Sequence, residues 1–125
     1  QNELTLRDAQ ALFKNGCQLI NEGANMPTTP DALEFIRENN ILFSPGKASN
    51  AGGVATSQLE MSQNASMAHW SFEEVDIKLR QIMRNIFNTA YDTSKEFDCK
   101  GDLITGANIA GFRKVANSMI EQGAV

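Results

Sequence analysis

Apolar positions recur at helical spacing in five stretches of the chain and form short unbroken runs in two others. From Thr5 to Asn15 the period places Ala9, Leu12 and Phe13 on one face, and Asn15-Gly16 supplies the stop. Cys17-Gln18-Leu19-Ile20 then reads as a short strand ending at Glu22-Gly23. The next helix has two candidate N-caps. Thr28 with Asp31 would form a capping-box-like pair, whereas Thr29 would put Pro30 at the first helical position. This helix carries Leu33, Phe35 and Ile36 and ends near Asn39-Asn40, and Ile41-Leu42-Phe43 is the second strand. Helix and short apolar strand in alternation predict a parallel α/β sheet.

Beyond residue 53 the strand signal stops. Val54 to Ala68 reads as helix, and Ser71 opens a long amphipathic one. Ser71 and Glu74 form a capping box, and Trp70 with Val75 fits a hydrophobic staple. Val75, Leu79, Ile82, Met83, Ile86 and Ala90 follow at helical spacing, with an end expected before Asp98 and Gly101 in the link. A last helix holds Ile109, Phe112, Val115, Ala116, Met119 and Ile120 and stops at Gly123. The expected divisions are an α/β segment 1–70, a long helix 71–100 and a final helix 101–125. Two strands alone do not make a stable sheet with both faces covered. The missing strands are therefore expected before Gln1, where the absent initiator Met and the loop-like Gln1-Asn2-Glu3-Leu4 also point to an excised piece.

At 125 residues the chain fits one domain with a modest core or a piece of a larger one. Its net charge of −4, with no Lys/Arg cluster, argues against nucleic acid as a partner. No apolar run reaches the length of a membrane span and no signal peptide is present, so no membrane partner is expected. Cys17 and Cys99 lie far apart without a CxxC or Cys/His pattern, which suits two structural thiols in a reduced intracellular compartment.

Catalytic machinery is sparse. His69, the single histidine, sits before a helix entry and reads as a surface or packing residue. No Ser/His/Asp or Cys/His set and no metal-ligand spacing emerges, so no catalytic residue and no metal are assigned. Glu73, Glu74 and Asp76 suit the dipole of a helix start, and Met61, Met67, Met83 and Met119 read as core filler.

Two strand-to-helix turns remain, 22–30 and 45–57. Pro45-Gly-Lys-Ala-Ser-Asn-Ala-Gly-Gly-Val-Ala-Thr-Ser57 lets a ligand approach bare backbone and would aim N–H groups at an anion. Gly52-Gly53 reads equally as a tight loop with close helix–strand packing, and Asn25 as a turn-stabilising side chain. Asn25 and Asn50 at successive strand ends favour a ligand crevice, although the GxGxxG fingerprint is absent.

At these residues the chain resembles a known family. Glu22-Gly-Ala-Asn-Met-Pro-Thr-Thr29, Pro45 to Ser57, Leu59-Glu-Met-Ser-Gln-Asn64 and Gly106-Ala-Asn-Ile-Ala-Gly-Phe112 closely resemble the C-terminal part of hexameric glutamate dehydrogenases, in order, from Gln1 to Val125. Gln58 stands where many members carry Gly. The resemblance implies an α/β fold, the C-terminal part of a Rossmann-like dinucleotide-binding domain followed by long C-terminal helices. It implies a cytoplasmic homo-hexameric oxidoreductase that uses NAD or NADP to deaminate L-glutamate reversibly to 2-oxoglutarate and ammonia. Within it, Asn25 matches the position near the nicotinamide ribose, and Asn50 one near the nicotinamide and substrate. Val54 and Ser57 match the glutamate side-chain pocket, and Lys47 lies beside it.

By the same resemblance the catalytic Lys and Asp and the pyrophosphate turn precede this segment. The chain alone is then expected to be inactive, and the 109–120 stripe to be uncovered away from the substrate domain. Two rivals stand beside this reading. One is a related branched-chain or aromatic amino-acid dehydrogenase, which needs an apolar pocket where Ser57 offers a hydroxyl. The other is a non-catalytic binding or oligomerisation module.

Overall fold

The structure is a computed structural model that describes residues 1–123, so the last two positions of the expected segment 101–125 lie outside the described residues. The chain runs α1 (Leu6–Lys14), β1 (Leu19–Asn21), α2 (Pro30–Glu38), β2 (Leu42–Ser44), α3 (Gly46–Ser49), α4 (Gly52–Ala65), α5 (Phe72–Glu96) and α6 (Leu103–Glu121). The strands pair in parallel, with Leu19 opposite Leu42, Ile20 opposite Phe43 and Asn21 opposite Ser44. Leu4 adds an isolated parallel bridge to Thr28.

Alternation along the strands divides the side chains between two layers. Ile20 and Phe43 pack against a core of Ala9, Ala32, Ile36 and Ile41 supplied largely by α1 and α2. Phe13 of α1 meets Phe35 of α2 edge to face, centroids 5.8 Å apart. On the opposite face Leu19 and Leu42 line a cavity of about 220 Å³ with Phe87 and Tyr91 of α5 and Leu103 of α6.

The helix ends follow local chemistry. Thr29, not Thr28, is the N-cap of α2, with Pro30 as its first residue. The Thr28 hydroxyl is instead buried without a partner among the described residues, so the Thr28–Asp31 pair does not form. At α5 the capping box is made: Glu74 N–H donates to Ser71 Oγ at 3.2 Å and Ser71 N–H to Glu74 Oε2 at 2.7 Å. Asp102 caps α6, accepting from the Ile104 and Thr105 N–H groups at 3.0 Å, and its carboxylate also meets Arg37 of α2 at 3.1 Å. Partial burial works to raise the Asp102 carboxyl. The Thr105 hydroxyl and N–H, the Arg37 charge and the Ile104 N–H outweigh it and hold the group below its ordinary range.

The predicted stripe of α5 is the one that packs, from half-buried Val75, Leu79, Ile82, Met83 and Ile86 to buried Ala90. Helix α6 lies on α5 so closely that a Cβ at Gly106 would stand 2.1 Å from the Ala90 carbonyl oxygen. Of the expected stripe on α6, Phe112, Met119 and Ile120 are uncovered, Phe112 at 73% and Ile120 at 75%, whereas Ile109 is half-buried.

Three expectations need correction. Both strands sit one or two residues later than their apolar runs, because Asn21 and Ser44 complete the ladder. Helix α4 begins at Gly52 and ends at Ala65 rather than spanning 54–68, since Met67 adopts a left-handed φ of 54° that breaks it. Met61, Met67 and Met119 are not core filler but exposed, Met67 at 95%; Met61 falls on the face of α4 turned from α5.

Candidate functional site

The C-terminal ends of β1 and β2 carry the two turns picked out in the sequence. Their side chains meet: Asn50 Nδ2 donates to Asn25 Oδ1 at 2.6 Å. Each amide has one acceptor oxygen and one NH₂ donor, so this bond leaves Asn25 an NH₂ and Asn50 an oxygen to face a ligand. The reverse orientation of both amides would also leave one of each. Such a mixed, neutral donor set fits ribose hydroxyls or a carboxamide better than a phosphate.

The backbone of the second turn is arranged differently from the open loop expected. Residues 46–49 form a single helical turn, capped by Pro45 in extended conformation, and α4 starts three residues after it. Several of its N–H groups already have partners. Ala48 and Ser49 donate to the Pro45 carbonyl at 3.0 Å, and Asn50 donates to Gly46 at 2.9 Å. Gly46 N–H goes to Glu22 Oε2 at 2.6 Å. These groups are therefore unavailable to an anion, which removes the anion-cradle reading for this part of the turn.

Gly52 and Gly53 do not carry the close approach either. A Cβ at Gly52 would make ordinary contact with Met83 at 3.6 Å, and one at Gly53 would meet nothing within 4 Å. The tight position is Gly46, where a Cβ would lie 2.2 Å from the Ala24 carbonyl oxygen. Only glycine lets the two turns touch.

Val54 and Ser57 sit one helical turn apart near the start of α4 and are both exposed, Val54 at 65%. Gly52, Ala55 and Leu59 form the face of α4 turned to α5, so helical geometry puts Val54 and Ser57 on the other side. Asn25 and Asn50 are thus brought into direct contact, while Val54 and Ser57 form a separate outward pair on the following helix. Lys47 points to α6, where its Nζ donates to Asn108 Oδ1. Lys47 is held by a neutral partner and remains exposed.

Sequence reasoning missed Glu22. It is buried, and its carboxylate accepts from Gly46 N–H and, at 3.3 Å, from Thr28 N–H, while its carbonyl accepts from the Ser49 hydroxyl. No local pattern announces these partners, two of which are more than 20 residues away. An acidic residue at the end of an apolar strand run was the available signal.

His69 is exposed, Cys17 and Cys99 are free thiols, and no group of three or more His, Cys, Asp or Glu that could hold a metal occurs among the described residues. No helix among them is long and apolar enough to cross a membrane.

A small parallel sheet between helices, with two Asn-bearing turns joined at the strand ends, defines an α/β arrangement. The chain belongs to the glutamate/leucine/phenylalanine/valine dehydrogenase family, whose model matches residues 1–123. It is 53% identical over 123 residues to the NADP-specific glutamate dehydrogenase of Helicobacter pylori, covering 98% of this chain and 28% of that protein. It is 50% identical to the glutamate dehydrogenase of Bacteroides thetaiotaomicron over all 125 residues, again 28% of the relative. Among solved structures, the crystal structure of Plasmodium falciparum glutamate dehydrogenase superposes with a TM-score of 0.94 at 56% identity, covering 100% of this chain and 27% of that one. The chain therefore spans little more than a quarter of the length of these relatives.

Proposed function

We propose that this chain is part of a glutamate dehydrogenase that interconverts L-glutamate with 2-oxoglutarate and ammonia, using NADP or NAD. In this reading residues 1–70 are the C-terminal part of a Rossmann-like dinucleotide-binding domain, followed by the long helix and the returning helix. One observation carries it: Asn25 and Asn50, from turns 25 residues apart, are hydrogen-bonded at the ends of parallel strands, where α/β sheets take their ligands. The names of the relatives support the substrate and the cofactor, since NADP-specific and NAD(P)-specific glutamate dehydrogenases are both among them.

When bound, the nicotinamide cofactor supplies the hydride acceptor or donor. The chain's own residues bind and orient. Asn25 and Asn50 offer one free amide donor and one free amide acceptor to the nicotinamide-ribose end. Val54 supplies apolar wall to the glutamate side chain, and the Ser57 hydroxyl donates to its γ-carboxylate. By the resemblance the catalytic Lys and Asp lie outside this chain, so the isolated piece has no turnover. The whole enzyme would be a cytoplasmic homo-hexamer by the same resemblance.

The test is an assay of the enzyme that carries this chain, following reduced cofactor at fixed NADP or NAD with glutamate, leucine, valine and phenylalanine in turn. Turnover with glutamate is expected. Turnover with an apolar amino acid and none with glutamate would overturn the substrate, and activity of residues 1–125 alone would overturn the division of labour.

A further inference from the structure

We infer that Glu22 is a positioning residue for the cofactor end of the site, setting the spacing between the turns that carry Asn25 and Asn50; this rests on the function proposed above. Glu22 is buried at the end of β1, where a carboxylate must find donors to offset its lost hydration. It finds them on both turns. Oε2 accepts from Gly46 N–H at 2.6 Å, at the start of α3, and Oε1 accepts from Thr28 N–H at 3.3 Å, on the far side of the turn that holds Asn25. The Ser49 hydroxyl closes the set by donating to the Glu22 carbonyl. Asn25 lies between Glu22 and Thr28 in sequence, and Asn50 follows Ser49 directly. The two amides are therefore held from both sides by bonds that converge on one residue.

Geometry makes the arrangement exacting. Gly46 already lies so close to the first turn that a Cβ would overlap the Ala24 carbonyl and approach Glu22 Oε2 to 3.2 Å. The Asn25–Asn50 bond at 2.6 Å has no slack to absorb a shift of either turn. An amide in place of the Glu22 carboxylate keeps one acceptor oxygen and turns an NH₂ toward the other backbone N–H. One turn would be released while the side-chain volume stays the same. The Glu22 carboxylate is engaged by backbone N–H groups of the two turns, so its effect on the site passes through the Asn pair.

The experiment is a double-mutant cycle in the full-length enzyme, measuring Kd for NADPH by fluorescence titration, with thermal midpoints recorded alongside. The variants are Glu22→Gln, Asn50→Ala, their combination, and Asn25→Ala. Glu22→Gln is expected to weaken NADPH binding about tenfold, and to add less than about twofold when Asn50 is already Ala. Equal factors in the two backgrounds, or an unchanged Kd for Glu22→Gln, would overturn the positioning role while leaving the Asn pair as the cofactor contact. Unchanged binding in both Asn25→Ala and Asn50→Ala would overturn the cofactor reading itself, and this inference with it. Should Glu22→Gln fail to fold, Ser49→Ala replaces it in the same cycle, with the same coupling expected and additivity again counting against the role.

Discussion

Asn50 Nδ2 donates to Asn25 Oδ1 at 2.6 Å, joining two turns that sequence separates by 25 residues. Two amides that hold each other present a fixed donor and a fixed acceptor, with less conformational freedom to lose when a ligand arrives. If they act as a unit, Asn25→Ala and Asn50→Ala should each weaken cofactor binding by about tenfold, roughly one to one and a half kcal/mol. The double variant should be little worse than either single one. Titration of all three variants checks this, and full additivity would show that the contacts are independent.

Ser57→Ala addresses the substrate side. A hydrogen bond to a charged group contributes about 1.5–3 kcal/mol, so KM for glutamate should rise by at least about tenfold. Cofactor affinity should stay nearly constant, because the Asn pair hydrogen-bonds within itself and not to Ser57. Steady-state kinetics with glutamate and cofactor varied separately distinguish the two effects, and unchanged glutamate kinetics would remove Ser57 from the pocket.

The glycines sort by space rather than by motif. Gly46→Ala forces a methyl to within 2.2 Å of the Ala24 carbonyl, and Gly106→Ala does the same against Ala90 at 2.1 Å. Each should lower stability by about 1–3 kcal/mol or more, because the obstacle is backbone. Gly53→Ala meets open space within a helix and should be neutral or stabilising by up to about 1 kcal/mol. Thermal midpoints of the three variants settle the order.

Asp102 gives a pH signature. Its folded carboxyl titrates below the ordinary value of 3.8. The stability it contributes is therefore fully present above about pH 4 and is lost as pH falls through the lowered folded value. Asp102→Asn should flatten that part of the acid-side decline. The difference in urea midpoint between parent and variant, followed from neutral pH downward, should shrink in this acid range. A difference that stays constant through it would mean that the carboxylate is not the titrating group. Asp102→Ala also removes the cap of α6 and should cost about 0.5–2 kcal/mol at neutral pH.

What could be read from the sequence was local. The Ser71–Glu74 box and the Val75 to Ala90 stripe depend on neighbours three to seven residues away, and both recur in the structure. The Asn-bearing turns were legible because Gly, Asn and Pro cluster between an apolar run and a helical period. The same composition disguised α3, since Gly46-Lys-Ala-Ser49 looks like loop until the Pro45 carbonyl is seen accepting from Ala48 and Ser49. The partners of Glu22 were beyond reach, because Gly46 and Ser49 are joined to it only by folding. The exposed methionines misled for a related reason: an apolar side chain signals burial only if some element covers it, and α4 is covered on one side.

The sheet has two strands, and so two outer edges whose backbone groups no other described strand takes up. Leu19 and Leu42 stand beside them, more than half exposed. Such edges present a template for strand addition by other copies of the chain. Its tendency to self-associate should rise with concentration. The same open flank that invites such pairing is a seam along which a larger sheet can be completed.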